Sequence, residues 1–326
     1  MQLVLNSYGM SLNRDNEAFV ISHDNMRQRI PAASVTSIHI CRGTRVTSDA
    51  ILLAIEKEIE VLFMDRSGDP AGRVWSPKYG SISTIRKGQV NFSFSHDAVA
   101  WIKGVISEKM SNQQALLMMM DAQTEEEKAA VNKAVNRLDD YCTKVQRLDG
   151  QVVADVAATL RGWEGVASRI YFETLNLFIP EEYCFENRSQ HPAIDPVNAL
   201  LNYGYGLLYG KIEGALIKAG IDPYIGIMHR DNYNRPVLVY DVIERYRIWV
   251  DYVVYTLVAQ GALTDEYYSI REDGSCWLEQ FGRRVLIQSL NDYLDEIIDQ
   301  QGMARSRQHM ILLYCQDLAQ NFKRYE

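Results

Sequence analysis

The chain changes its hydrophobic pattern once, and that change constrains the fold more than any single motif. Up to Trp75 the apolar residues come in short runs, at 2–6, 18–22, 34–40, 61–64 and 72–75. Turn formers such as Asn13-Arg14-Asp15 and Ser67-Gly68-Asp69-Pro70 separate these runs, as they do strands. From Ala98 onward the apolar residues recur at helical spacing almost without a break, which is the mark of packed amphipathic helices. The pattern predicts an α+β protein: a small N-terminal β domain, 1–92, followed by a larger all-α C-terminal domain, 93–326, that carries the active site. The boundary is expected in 88–97, a polar stretch with isolated aromatics at Phe92 and Phe94.

Capping signals refine the helical part. In the β domain one helix is expected over 50–58, capped by Ser48-Asp49, with Ile51, Leu52 and Ile55 as its apolar stripe. Beyond it, Trp101, Ile102, Val105 and Ile106 begin a first helix, and Thr124 with Glu127 forms a capping box for a second. A third is expected over about 152–178 and contains Glu164. Asp195 and Pro196 start another, which Gly220 stops. The next begins between Pro236 and Tyr240, and two more are expected over 277–300 and 303–324. No period of 20 to 50 residues suggests a repeat array.

Composition excludes some classes. With 326 residues, 47% hydrophobic and 23% charged, the chain is globular in character. No apolar run approaches the ~20 residues needed to cross a bilayer, and the first ten residues lack a basic stretch followed by an apolar one. A cytoplasmic protein with no membrane partner is expected. The five cysteines are odd in number and widely spaced, with no Cys-x-x-Cys pair, so reduced, mostly buried thiols are expected rather than a disulfide framework or thiolate metal site. A net charge of −8 speaks against a nucleic-acid partner. Its distribution speaks less strongly: residues 1–92 hold 11 Lys and Arg against 9 Asp and Glu, and much of the acid lies in 121–127 and 292–326. Room is left for a local basic groove.

The residue types with most chemistry lie in 226–247. Asp231, Asn232, Asn234 and Pro236 break any helix that includes His229, and the helix that follows carries Asp241 and Glu244 three residues apart, on one face near its N-terminal end. These acids can equally form a solvated face paired with Arg235, Arg245 or Arg247, and His229 can be a capped core histidine. Glu164 lies between Gly162 and Gly165, glycines that cost ~1 kcal/mol each in a helix and so ask for a reason, either ligand approach or a helix–helix contact. Should Glu164, His229 and Glu244 converge, two carboxylates and one imidazole suit Mn2+ or Mg2+ rather than a closed zinc site. Such an ion polarises a phosphodiester. Tyr203, Tyr205 and Tyr209, with Asn202 and Lys211 nearby, read either as core residues or as a platform for unpaired bases, helped by Arg169, Arg188, Arg230 and Arg235.

Three blocks, taken together, resemble the CRISPR-associated spacer-acquisition integrases, the catalytic subunits of the adaptation complex. They are Glu164-Gly165 with Ala167, Arg169 and Tyr171-Phe172; Asp195-Pro196-Val197-Asn198 running on to Tyr203-Gly204-Tyr205; and Gly226 to His229 followed by Asp241-Val242-Ile243-Glu244-Arg245-Tyr246-Arg247. The resemblance implies a metal-dependent DNA endonuclease and integrase that joins short fragments into a CRISPR array by phosphodiester transesterification. Glu164, His229 and Glu244 would hold one Mn2+ or Mg2+, and Asp241 would be an acid beside the ligands. Arg169, Tyr203, Lys211, Arg230, Arg235, Arg245 and Arg247 are the candidate DNA contacts. Implied partners are double-stranded DNA with single-stranded 3′ ends, CRISPR repeat DNA, a second copy bound through the N-terminal β domain, which would also touch DNA, and a small ferredoxin-like protein. Family members commonly have proline after the residue matching Arg247, where Ile248 stands here. Two rival readings are a catalytically inactive DNA-binding scaffold of the same fold, whose carboxylates only form salt bridges, and a metallohydrolase of small substrates.

Overall fold

Strand β1 (Gln2–Leu5) opens the chain and pairs in parallel with β5 (Ser37–Ile40), which pairs in parallel with β7 (Glu60–Met64); β8 (Pro70–Arg73) completes this sheet antiparallel to β7. The computed structural model describes residues 1–24, 26–64, 70–74, 83–190, 192–229, 235–300 and 302–326. Parallel neighbours need a crossover, and helix α1 (Ser48–Glu56) lies in the one from β5 to β7. A second four-stranded sheet has β2 (Ser11–Asp15), β3 (Ala18–His23) and β4 (Met26–Pro31) antiparallel in that order, with β6 (Arg45–Val46) parallel to β2. Leu3, Leu5, Leu12, Phe19, Ile38, Leu53 and Val61 share one core.

Three local expectations shift here. Asn13-Arg14-Asp15 is strand, and the turn comes at Asn16, whose φ of 53° is one that asparagine tolerates well. The cap of α1 is Thr47, one residue before the expected pair, accepting from the Ala50 amide at 3.4 Å. Strand β4 exposes every residue except Ile30 and carries arginines at Arg27 and Arg29, an edge strand with no apolar alternation to read. The expected turn at 67–69 lies outside the described residues.

The first unit spans Met1–Ser81 and the second Ile82–Glu326, so the division falls before the expected boundary in 88–97. The physical reason is helix α2 (Ser83–Ser93), whose Ile85 and Phe92 belong to the helical core. Its buried Gln89 donates to the carbonyls of Asp222 and Ile225 at 2.7 and 3.0 Å and accepts from the Asp222 amide at 3.1 Å. Then come α3 (His96–Met118), α4 (Glu125–Arg147), α5 (Val153–Leu175) and α6 (Pro196–Lys218). The Thr124–Glu127 capping box and the Asp195 cap form as expected, and Gly220 supplies the helix stop at φ 83°.

The last third departs more from expectation. The helix expected from Pro236 is two, α7 (Val237–Ile243) and α8 (Arg247–Ala259), with a turn at 244–246 between them. The helix expected over 277–300 is strand β10 (Cys276–Leu278), α9 (Gln280–Asp295) and strand β11 (Ile297–Gln300); that over 303–324 begins with β12 (Met303–Ser306) before α10 (Arg307–Lys323). Strand β9 (Tyr268–Ile270) pairs with β10, and β11 with β12. The second unit is therefore helical with two small hairpins rather than wholly α. All five cysteines are free, and Cys142, Cys276 and Cys315 are buried. Among the described residues no helix is long and apolar enough to cross a membrane.

Candidate active site

The loop that carries His229 is tied down from two sides. Gln89 holds its start at Asp222 and Ile225, and Asp241 on α7 holds its end. Asp241 is fully buried. Its carboxylate accepts from the amides of Ile227, Met228 and His229 at 2.8, 3.1 and 3.1 Å and lies 2.7 Å from His229 Nδ1. Four donors around one buried carboxylate satisfy a charge that would otherwise be costly to bury. With Nδ1 turned to Asp241, Nε2 is the ring nitrogen left for other work. Burial works against a charged His229 ring, but the bond and charge of Asp241, with Glu244 and Glu164 beyond it, outweigh burial and raise its pKa. Gly226 is required by closeness: a Cβ there would lie 2.0 Å from the His229 carbonyl oxygen.

Glu244 stands where α7 ends, and the turn after it swings Arg247 back so that its Nε donates to Glu244 Oε1 at 2.8 Å. Lys109, buried on α3, places Nζ 2.5 Å from Glu244 Oε2 and also donates to Glu164 Oε1 from α5. Burial raises the Glu244 pKa, yet the charges of Arg247 and Lys109 outweigh it and hold the carboxyl below the usual range. Burial likewise opposes the Lys109 ammonium, and the Glu244 and Glu164 charges keep it protonated.

Glu164, His229 and Glu244 line one cavity of about 280 Å³ together with Lys109, Gln113, Arg188, Arg247 and Asp251. As they stand, no three His, Cys, Asp or Glu groups among the described residues are posed to close on an ion, and the Lys109 ammonium contacts both acids. The donor set suits a cation, since buried Glu244 Oε2 already has one, the Lys109 ammonium, 2.5 Å away. Among the described residues Gly162 and Gly165 serve no helix–helix contact, since a Cβ on either would meet nothing within 4 Å.

Of the candidate DNA contacts among the described residues, Arg247 alone lines the cavity, and its guanidinium lies 4.6 Å from the Tyr205 ring centre. Arg245 points elsewhere, paired with Glu108 at 2.5 Å and set over Tyr314. Lys211 donates to Gln308 on α10 at 3.2 Å, Tyr203 is half-buried, and Arg169 and Arg235 are exposed away from the cavity. Arg230 lies outside the described residues. Tyr205 is buried, and Tyr209 donates to the Pro236 carbonyl at 3.1 Å. The sequence reading missed Lys109, Gln113 and Asp251. The first two had a signal: on the α3 stripe of Ile102, Val105, Ile106, Met110, Leu116 and Leu117, the buried positions 109 and 113 are polar.

Fold and site define a two-unit α+β protein with a polar, acid-lined cavity in its helical unit. The family model described as CRISPR associated protein Cas1 matches residues 3–292. The chain belongs to that family. It is 30% identical to a protein of Archaeoglobus fulgidus named CRISPR-associated endonuclease Cas1 1, across 100% of this chain and 98% of that one. A Rhodospirillum rubrum protein, CRISPR-associated endonuclease Cas1 2, is 30% identical over 86% of this chain and 82% of its own. Among solved structures, a Cas1 protein from Thermotoga maritima superposes with a TM-score of 0.78 at 18% identity, covering 98% of this chain and 96% of that one. A casposase bound to integration product gives a TM-score of 0.65 at 21% identity, covering 100% and 96%. These likenesses to solved structures speak to the fold.

Proposed function

We propose that this chain is a DNA endonuclease and integrase that uses a divalent ion, Mn2+ or Mg2+, to join short DNA fragments to a CRISPR array. The observation that carries the reading is the meeting of Glu164, His229 and Glu244, from two helices and a loop far apart in sequence, at one cavity. Family membership and relatives named endonucleases support it.

Glu164, Glu244 and His229 Nε2 would hold the ion. When bound, it supplies charge stabilisation at the phosphate and the departing oxygen. The protein's own groups do the rest. Asp241 takes the Nδ1 side of the ring, so that the neutral imidazole presents Nε2, and it fixes the loop, so the ring does not have to reorient on binding. Arg247 and Arg188 bring fixed positive charge to the cavity wall, where a phosphate backbone needs it whatever the overall charge of the chain. In the joining step a 3′-hydroxyl attacks phosphorus in line. One phosphodiester forms as one breaks, the attacking hydroxyl gives its proton to solvent, and the departing 3′-oxygen regains one. No covalent protein intermediate is needed.

The remaining parts rest on the resemblance: the N-terminal β unit pairs two copies and touches DNA, and a small ferredoxin-like protein bridges two such dimers around DNA with single-stranded 3′ ends and the CRISPR repeat. A solved structure titled Cas6-RT-Cas1--Cas2 complex shares the fold of this chain at a TM-score of 0.78 and 22% identity, over 99% of this chain and 35% of that one.

One observation favours a second reading, a catalytically inactive DNA-binding scaffold: the two acids are already paired, with Lys109 and Arg247. His229→Ala and Glu164→Gln separate the two. Both variants should fold, by circular dichroism, and lose DNA joining in Mn2+. Undiminished joining contradicts the enzymatic reading.

A further inference from the structure

Lys109 is one of the few buried charged residues among those described, 7% exposed in the middle of the apolar stripe of α3. An ammonium in such a place has to be paired, and its partners are Glu164 and Glu244, brought by two other elements. We propose that Lys109 is a built-in counter-ion that holds the two acids together in the metal-free protein, that a divalent metal displaces its ammonium, and that the freed ammonium then engages a phosphate of the bound DNA. The inference rests on the metal site of the proposed function.

An ordinary structural salt bridge explains the burial of Lys109 but not its surroundings. Its ammonium is shared: Nζ donates to Glu164 Oε1 and lies 2.5 Å from Glu244 Oε2, so one cation bridges two acids from different elements. Lys109 does not lie in a sealed core but on the wall of the polar cavity. One turn along the same helix face, Gln113 is 4% exposed and lines the same cavity, and its Oε1 has no hydrogen-bond partner among the described residues. Two neighbouring polar side chains on an otherwise apolar stripe, one with an unused acceptor, face a space that would receive a ligand.

Charge balance gives the direction of the exchange. The two acids face two cations, Lys109 and Arg247, so the cluster is neutral as it stands. A dication entering beside them leaves two positive charges in excess, which repels the ammonium from between the acids and calls an anion in. A phosphodiester carries one negative charge, and its five-coordinate transition state carries a second. Lys109 would then match charge that appears as the reaction proceeds, the condition for lowering a barrier rather than merely binding. Its flexible four-carbon stem lets Nζ leave the acids while α3 stays packed.

The test is Mn2+ binding to the full-length protein without DNA, by calorimetry, in the wild type and in Lys109→Met. Removing the competing ammonium should tighten Mn2+ binding about tenfold, the effect of ~1.4 kcal/mol. It should also enlarge the Mn2+-induced rise in melting temperature, while joining activity falls. Equal or weaker Mn2+ affinity in Lys109→Met, with the wild type binding normally, overturns this proposal and leaves the metal site intact. No Mn2+ binding by folded wild type overturns both together. A measurement on the wild type stands if the variant fails to fold: acylation of Lys109 by an amine-reactive reagent, followed by peptide mass spectrometry, should rise at least about threefold when Mn2+ is added, the shielded ammonium having left its partners. An unchanged rate overturns the exchange.

Discussion

The Asp241 carboxylate, with no exposure to solvent, lies 2.7 Å from Nδ1 of His229, whose ring reaches the cavity. The pair joins folding to chemistry, because the same carboxylate that orients the ring also collects three backbone amides of the loop beneath it. Asp241→Asn keeps the shape but presents an amide donor where only an acceptor fits. Stability to urea is expected to fall by about 1–3 kcal/mol and joining by about 10- to 100-fold. An unchanged rate would mean that His229 needs no orienting partner.

The pH dependence follows from the same pair. Burial lowers the His229 pKa, but Asp241 outweighs it, so the folded value lies above the ordinary imidazole value of about 6.5. With the folded value raised, the stability from the charged pair is fully present below about pH 6.5 and is lost as pH rises through the raised value. Metal ligation needs the neutral ring, so Mn2+ affinity is expected to rise over that same upper window. An NMR titration of the metal-free protein checks this, and a His229 midpoint at or below the ordinary value contradicts it.

Gly226→Ala tests the loop from the backbone side. The added Cβ would lie 2.0 Å from the His229 carbonyl oxygen and 2.8 Å from a Val237 methyl, so the loop must move. Mn2+ affinity and joining are expected to fall at least about tenfold, with a fold loss of about 1–3 kcal/mol in a urea melt. Full activity would show that the loop has slack the packing does not reveal.

Much of this was legible in the chain. The strand-to-helix change, the Thr124 and Asp195 caps and the Gly220 stop all involve local signals, and the structure reproduces them. What escaped depends on distant partners. Helix α2 reads as polar because its contacts, such as Gln89 with Asp222, are made across 133 residues. The break at 244–246 has no glycine or proline to announce it. The two hairpins hide inside stretches whose apolar residues also fit a helix. In the site, Glu164, His229, Glu244 and Arg247 were visible as residue types, whereas Lys109 was not, since its role comes from acids on two other elements. Arg245 and Lys211, read as DNA contacts, are engaged with Glu108 and Gln308.

The tyrosines near the site divide by partner. Buried Asp251 accepts from Tyr171 at 3.1 Å and from Tyr205, and burial raises its pKa. Tyr171→Phe removes one donor and leaves a carboxylate oxygen unsatisfied. Stability is expected to fall by about 1–3 kcal/mol. A urea midpoint equal to that of the wild type would show that the hydroxyl is dispensable.

The most direct measurement is anomalous diffraction from crystals soaked in Mn2+. The account predicts one strong peak in the cavity, with donor atoms of Glu164, His229 and Glu244 within about 2.0–2.6 Å of it and the Lys109 ammonium moved from between the acids. A peak bound by other residues, or none in a crystal whose cavity is open to the soak, would contradict it.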